Sequence, residues 1–123
     1  MTTALPYRPR AMQTVVETPS YLGDAEDLFT IEERKAIVDL IAADPRYGVV
    51  IPASHGLRKF RVAFGGRGKR GGARVIYLFG GDDVPVFLLA VFAKNERADL
   101  RPPERVALGR MAAEMVLDYR RRK

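Results

Sequence analysis

The sequence predicts one α+β domain, in which a mainly antiparallel sheet packs against a helical hairpin near the N-terminus and a helix at the C-terminus. Apolar residues recur at helical spacing near both ends of the chain, whereas the middle alternates between apolar and polar residues or is continuously apolar, as strands are. The length of 123 residues, 47% of them hydrophobic, suits a single core. The predicted order of elements is β-α-α-β-β-β-α.

The N-terminal region begins with residues 1–11, which carry two prolines and no apolar period. We expect them to form a disordered leader or an extension upstream of a second possible start at Met12, and the domain to span residues 12–123. Gln13 to Thr18 is predicted as a short strand, and residues 21–29 as a short helix with an acidic face.

A second helix is predicted to begin at Thr30. Thr30 and Glu33 form the capping-box pattern, in which each side chain accepts a hydrogen bond from the other residue's backbone N–H. Asp44-Pro45 ends the helix, because the residue before a proline avoids helical backbone angles. The face predicted to be buried carries the apolar residues at helical spacing, Ile31, Ile37, Val38 and Ile41.

Three strands follow the predicted loop 46–56. They are expected at residues 57–64, 73–79 and 84–93. The first of them alternates, which places Lys59 and Arg61 on one face of the sheet. The opposite face receives its apolar residues, Phe60, Val62 and Phe64.

The C-terminal helix is predicted to start at Pro102-Pro103. Its buried stripe is predicted to contain Leu108, Met111, Ala112, Met115 and Tyr119. The cations that follow the stripe suit the negative end of a helix dipole.

The strongest functional feature is residues 57–74, which hold seven cations and no acid within a predicted strand–loop–strand unit. These cations are Arg58, Lys59, Arg61, Arg67, Lys69, Arg70 and Arg74. A basic surface of this kind suits RNA backbone binding, or stabilisation of a pentacoordinate phosphorane. The competing interpretation is that lysine and arginine only solubilise a hairpin and protect a sheet edge.

The sequence contains no common catalytic or metal-binding motif. With no cysteine and a single histidine, thiolate and histidine-rich metal sites are excluded, and no metal or cofactor is expected. His55 lies in a predicted loop, as an exposed residue or as an acid–base group. The longest apolar run, residues 84–93, is too short to cross a membrane, and the N-terminus lacks the apolar block of a signal peptide. We therefore expect a cytoplasmic protein without a membrane partner.

Three segments resemble a known family: VVETPSY, GLRKFRVAFGGRGKRGGARVIYLF and VFAKNERADL. From about Met12 to the last helix, the chain is similar to the RelE/HigB-like toxins of bacterial type II toxin–antitoxin systems. The resemblance implies the family's small α+β fold and a metal-independent endoribonuclease that cuts mRNA, typically in the ribosomal A site, and so inhibits translation. It also implies a cognate antitoxin, which we expect to be a helix-turn-helix protein encoded next to the toxin.

The resemblance also implies roles for individual residues. Lys59 would accept the proton of the attacking 2′-hydroxyl, Arg61 and Arg74 would clamp the phosphate, and Lys94 would contact the phosphate or protonate the leaving group. The cations implied to bind RNA are Arg58, Arg67, Lys69 and Arg70. Two positions depart from the family: Asp99-Leu100-Arg101 stands where some members have a base-stacking tyrosine, and His55 stands where many have glycine.

Two alternative functions remain open on the sequence. A ParE-like toxin of the same fold would inhibit DNA gyrase without cutting RNA, and its sheet-face cations would be dispensable. A non-catalytic RNA-binding module would need the cations but would leave mRNA intact.

Overall fold

The computed structural model describes residues 12–63, 72–94, 96 and 99–122. Along these residues the order is β1 (Val15–Glu17), α1 (Pro19–Leu28), α2 (Ile31–Ala43), β2 (Val49–Val50), β3 (Leu57–Val62), β4 (Ala73–Leu78), β5 (Val86–Ala93) and α3 (Pro102–Arg121). The α+β class is confirmed, and the order is the predicted one with β2 added. The predicted leader and the hairpin-tip residues Phe64, Arg67, Lys69 and Arg70 lie outside the described residues.

The capping box predicted for the second helix is present. The Glu33 backbone N–H donates to Thr30 Oγ1 at 3.1 Å, and the Thr30 N–H donates to Glu33 Oε1 at 2.8 Å. The predicted buried face is confirmed for Ile37 and Ile41, but wrong for Ile31, which is 73% exposed. At 3.6 residues per turn, Ile31 lies roughly 80° around the helix axis from Ile41, at the outer edge of the stripe.

The five strands of the described sheet run in the order β1-β5-β4-β3-β2. β1 is parallel to β5, and the other neighbours are antiparallel, so the sheet is mixed. β2 lies inside the predicted loop 46–56, where it pairs with β3 through only two residues, Val49 and Val50. Such a short edge strand carries no alternation for a sequence pattern to detect.

The sheet separates two apolar cores. One face packs against α1 and α2 through residues that include Phe60, Val75 and Tyr77. The other face packs against α3, and here β3 contributes only Leu57, at its start. Past Leu57, the α3 side of β3 carries Lys59 and then Arg61, as the alternation predicted. The basic residues therefore continue the face on which α3 packs, beyond the end of its apolar core.

α3 begins at Pro102 as predicted. Its predicted stripe is confirmed for Ala112, and Leu108 and Met115 are partly buried against the same core, but the prediction is wrong for Met111 and Tyr119. The buried residues are Gly109, Ala112 and Val116, whereas Met111 and Tyr119 are 41% and 38% exposed. Gly109 explains the rotation, because a Cβ at this position would lie 2.3 Å from the backbone oxygen of Ser54. The helix turns its smallest residue toward the loop before β3 and approaches it closely.

No helix in the described part of the chain combines the length and the apolar character needed to cross a bilayer. Among the same residues, no three histidine or acidic side chains meet in a group that could hold a metal ion.

Candidate phosphate-binding site

The candidate site is built on the register between β3 and β4. Arg61 lies directly opposite Arg74, and Lys59 lies opposite Ile76, one step further along the same face. Directly opposed residues of antiparallel strands have Cβ atoms about 4.5–5.5 Å apart, and like charges at this distance repel each other. An anion bound between Arg61 and Arg74 would turn this repulsion into attraction. We call Lys59, Arg61 and Arg74 the cation triad.

Asp99 is the counterion of this triad. Lys59 Nζ lies 2.6 Å from Asp99 Oδ2, and the Leu100 backbone N–H donates to Asp99 Oδ1 at 2.8 Å. Leu100 is itself buried in the core between the sheet and α3, so its backbone N–H holds the Asp99 carboxylate in place. The Asp99 side chain remains 44% exposed. Asp99 therefore borders the triad as a fixed and accessible acceptor.

The pKa of Asp99 reports the field of the triad. Burial opposes its ionisation, but the hydrogen bonds from Lys59 and Leu100 and the charges of Lys59 and Arg74 outweigh burial, so its pKa lies below the ordinary value. Arg74 thus acts on the same carboxylate as Lys59. The two cations and Asp99 form one electrostatic unit.

Arg74 holds a donor without an acceptor. Its Nε is buried and has no hydrogen-bond partner among the described residues. A buried unsatisfied donor costs about 1–3 kcal/mol. If the guanidinium reoriented toward a bound phosphate, a phosphate oxygen would satisfy this donor and offset the cost.

Lys94 is held at the same end of the sheet as Arg61 and Arg74. Its backbone N–H donates to the Gly72 carbonyl at 3.0 Å, two residues before Arg74 in the chain. Gly72 has φ of 61°, and a Cβ there would lie 2.1 Å from the Val62 carbonyl oxygen. Glycine is thus required at position 72, where the backbone before β4 approaches Val62 of β3 closely.

Arg58 lies on the other side of the sheet. Its NH1 donates to the Gly48 carbonyl at 2.7 Å and to the Arg46 carbonyl at 3.3 Å, and its strand partner is Tyr77 of the α1/α2 core. These bonds tie the loop before β2 to β3. The structure gives Arg58 a structural role and does not bring it to the triad.

His55 is also separate from the triad. It is exposed and has φ of 59°. Its Cδ2 would lie 3.1 Å from a Cβ added to Gly109 of α3. Arg61 is six residues further on, about 20 Å along an extended chain. That length is an upper limit, and His55 lies in the loop before the Leu57 end of β3, whereas Arg61 lies near the other end of the strand.

Sequence reasoning missed Asp99 as a member of the site. The sequence drew attention to this position only because a tyrosine occupies it in some related toxins. Asp99 is 40 residues from Lys59 in the chain. No spacing rule links a carboxylate before a helix to a lysine on a distant strand.

The sequence matches the model of a known protein family. The family described as "RelE toxin of RelE / RelB toxin-antitoxin system" matches residues 48–122, more than half of the chain. The match begins at β2 and runs almost to the end of α3, so it includes the triad, Lys94 and Asp99. β1, α1 and α2 lie before it.

Proposed function

The chain belongs to the RelE family of toxins from toxin–antitoxin systems, and we propose that it is a ribosome-dependent mRNA endoribonuclease that inhibits translation. The observation that carries this proposal is the direct opposition of Arg61 and Arg74, with Lys59 on the same sheet face. Three cations converge there on a surface that α3 leaves uncovered. A phosphodiester is an anion of suitable charge for such a surface.

The proposed reaction is attack by a 2′-hydroxyl on the adjacent phosphate. The new O2′–P bond forms as the P–O5′ bond breaks, which leaves a 2′,3′-cyclic phosphate and a 5′-hydroxyl. The phosphorane gains negative charge, and Arg61 and Arg74 would stabilise it more strongly than the ground state. Lys94 would contact the phosphate or donate a proton to the departing O5′.

The pairing of Lys59 with Asp99 bears on its proposed role. An ammonium that donates to a carboxylate at 2.6 Å carries no lone pair to accept a proton. Lys59 would act as proton acceptor only after the pair opens and the ammonium loses a proton. While the pair stays closed, Lys59 would serve as a third positive charge beside the phosphate.

The proposed partners are mRNA on the ribosome and a cognate antitoxin. Since RelE toxins belong to toxin–antitoxin systems, we propose that an antitoxin encoded next to this chain neutralises it by covering the basic face. The hairpin-tip cations Arg67, Lys69 and Arg70 remain predicted contacts to RNA.

Inducible expression of the toxin tests the proposal. We expect growth arrest with cleaved mRNA, seen by mapping of new 5′ ends, and we expect Lys59→Ala, Arg61→Ala and Arg74→Ala each to relieve both. Arg110→Ala is the matched control, because it removes one exposed cation from α3, away from the triad.

The test also separates the alternatives. Growth arrest that persists in all three variants with intact mRNA would exclude the nuclease and favour a protein target such as gyrase. RNA binding without arrest or cleavage would favour a non-catalytic module.

A further inference from the structure

We propose that Asp99 selects RNA over DNA by accepting a hydrogen bond from the ribose 2′-hydroxyl next to the phosphate held by the cation triad. The inference rests on the proposed RNA binding, and it assigns a specificity role to a residue at a position where this chain departs from its relatives. It concerns recognition in the bound state and does not require cleavage.

Asp99 has acceptor positions that its described neighbours do not use. An ionised carboxylate offers about four acceptor positions. Among the described residues, Lys59 uses one on Oδ2 and the Leu100 N–H uses one on Oδ1, so each oxygen retains one acceptor position with respect to that part of the chain. With 44% of the side chain exposed, these lone pairs are within reach of a ligand.

Apart from Asp99, the side chains of the site offer only hydrogen-bond donors. Lys59, Arg61 and Arg74 carry only donor groups, which suit the oxygens of a phosphate. A carboxylate in the same cluster weakens binding of any anion unless the ligand brings a donor to it. Only a ligand that combines an anion with an adjacent donor therefore offsets the unfavourable effect of Asp99 on anion binding.

An RNA strand carries a hydrogen-bond donor next to each internal phosphate. In an internal sugar–phosphate unit, the phosphate and ring oxygens only accept hydrogen bonds, and the 2′-hydroxyl is the donor. It is linked to the phosphorus through only C2′, C3′ and O3′, so a phosphate on the triad brings it to the triad's border. The sugar–phosphate backbone of a DNA strand supplies no donor, and its phosphate meets an uncompensated carboxylate.

The experiment measures binding of labelled single-stranded oligonucleotides of one sequence with four sugars: ribose, 2′-deoxyribose, 2′-fluoro and 2′-O-methyl. Titrations at one fixed ionic strength separate this effect from general phosphate attraction, and a denaturing gel checks that the ribose strand stays intact. We expect the full chain to bind the ribose strand at least about tenfold more tightly than the other three. The fluoro strand is decisive, because the fluorine is compact but cannot donate.

The matched variants are Asp99→Ala and Asp118→Ala. Each removes one carboxylate and with it every side-chain acceptor at that position, and Asp118 pairs with Arg122 on α3. We expect Asp99→Ala to bind DNA more tightly and to lose about tenfold or more of the ribose preference, and Asp118→Ala to keep that preference.

Equal binding of all four sugars by the native chain would overturn the inference, as would an unchanged ribose preference in Asp99→Ala. The four-sugar comparison on the native chain needs no variant to fold. Because the readout is binding, loss of the nuclease proposal through intact mRNA would leave this result standing, and equal binding of RNA and DNA by an active nuclease would defeat only the inference.

Discussion

The two sides of β3 use their arginines in different ways. On the α1/α2 side, Arg58 donates to two backbone carbonyls and closes a loop against the sheet. On the α3 side, Arg61 faces another arginine across the strand pair. The first arginine pairs with acceptors of the protein itself, whereas the second lies opposite a like charge, an arrangement that a bound anion would stabilise. The difference shows that cation density along the chain does not reveal which cations are available for binding.

The largest effect is expected from Arg61→Ala. If the α3 side is the site, cleavage of mRNA on translating ribosomes should fall by about 10²–10³-fold, the cost typical of removing one transition-state donor. Arg61 is exposed, so the free energy of unfolding should change by less than about 0.5 kcal/mol. Cleavage assays and urea denaturation measure the two quantities. A variant that keeps full activity would remove Arg61 from the site.

The reciprocal change is Arg58→Ala. We expect the free energy of unfolding to fall by about 1.5–3 kcal/mol, because the Gly48 and Arg46 carbonyls lose a charged donor. Activity per folded molecule should be retained at a temperature where the variant stays folded. Urea denaturation beside Arg110→Ala supplies the comparison. Loss of cleavage without loss of stability would show that Arg58 works with the triad after all.

Tyr77→Phe tests the α1/α2 side further. The Tyr77 hydroxyl accepts from the Gly48 N–H and donates to the Pro45 carbonyl, both at 2.8 Å. Burial raises the pKa of Tyr77, so the hydroxyl remains a donor at neutral pH. Removing it should cost about 1–3 kcal/mol in unfolding free energy and leave cleavage unchanged. Tyr47→Phe, at a 51% exposed ring, is the control and should have little effect.

The smallest effect is the pH dependence of the Lys59–Asp99 pair. The pKa of Asp99 is lowered in the folded state, so the pair stabilises the protein above the ordinary value of 3.8, and this contribution is lost as pH falls through the folded pKa. The side chain is partly exposed, which limits the contribution to less than about 1 kcal/mol. Unfolding free energies of the native chain and Asp99→Asn should therefore differ at pH 7 and converge as the pH falls below 3.8. A gap that widens on acidification would contradict the pair.

Much of the basic face was predictable from alternation alone. It placed Lys59 and Arg61 together and put Phe60 and Val62 behind them, as the structure does. By the same rule Arg58 falls on the Phe60 side, where the structure shows it bonded to the Gly48 and Arg46 carbonyls. The capping box of α2 was equally local, and it is present.

The errors came from contacts between distant segments. The exposure of Met111 depends on Gly109 meeting the loop at Ser54, which no helical period encodes. β2 depends on a partner strand, and the parallel pairing of β1 with β5 depends on the path of α1 and α2 between them.

The sequence by itself determined the α+β class, the cation-bearing face of β3 and the starts of α2 and α3, because these follow from short-range periodicity and capping. The tertiary structure alone decided that Arg74 stands opposite Arg61 and that Asp99 closes on Lys59. Cross-strand register and packing of the segment before α3 set those distances, and both depend on residues far apart in the chain.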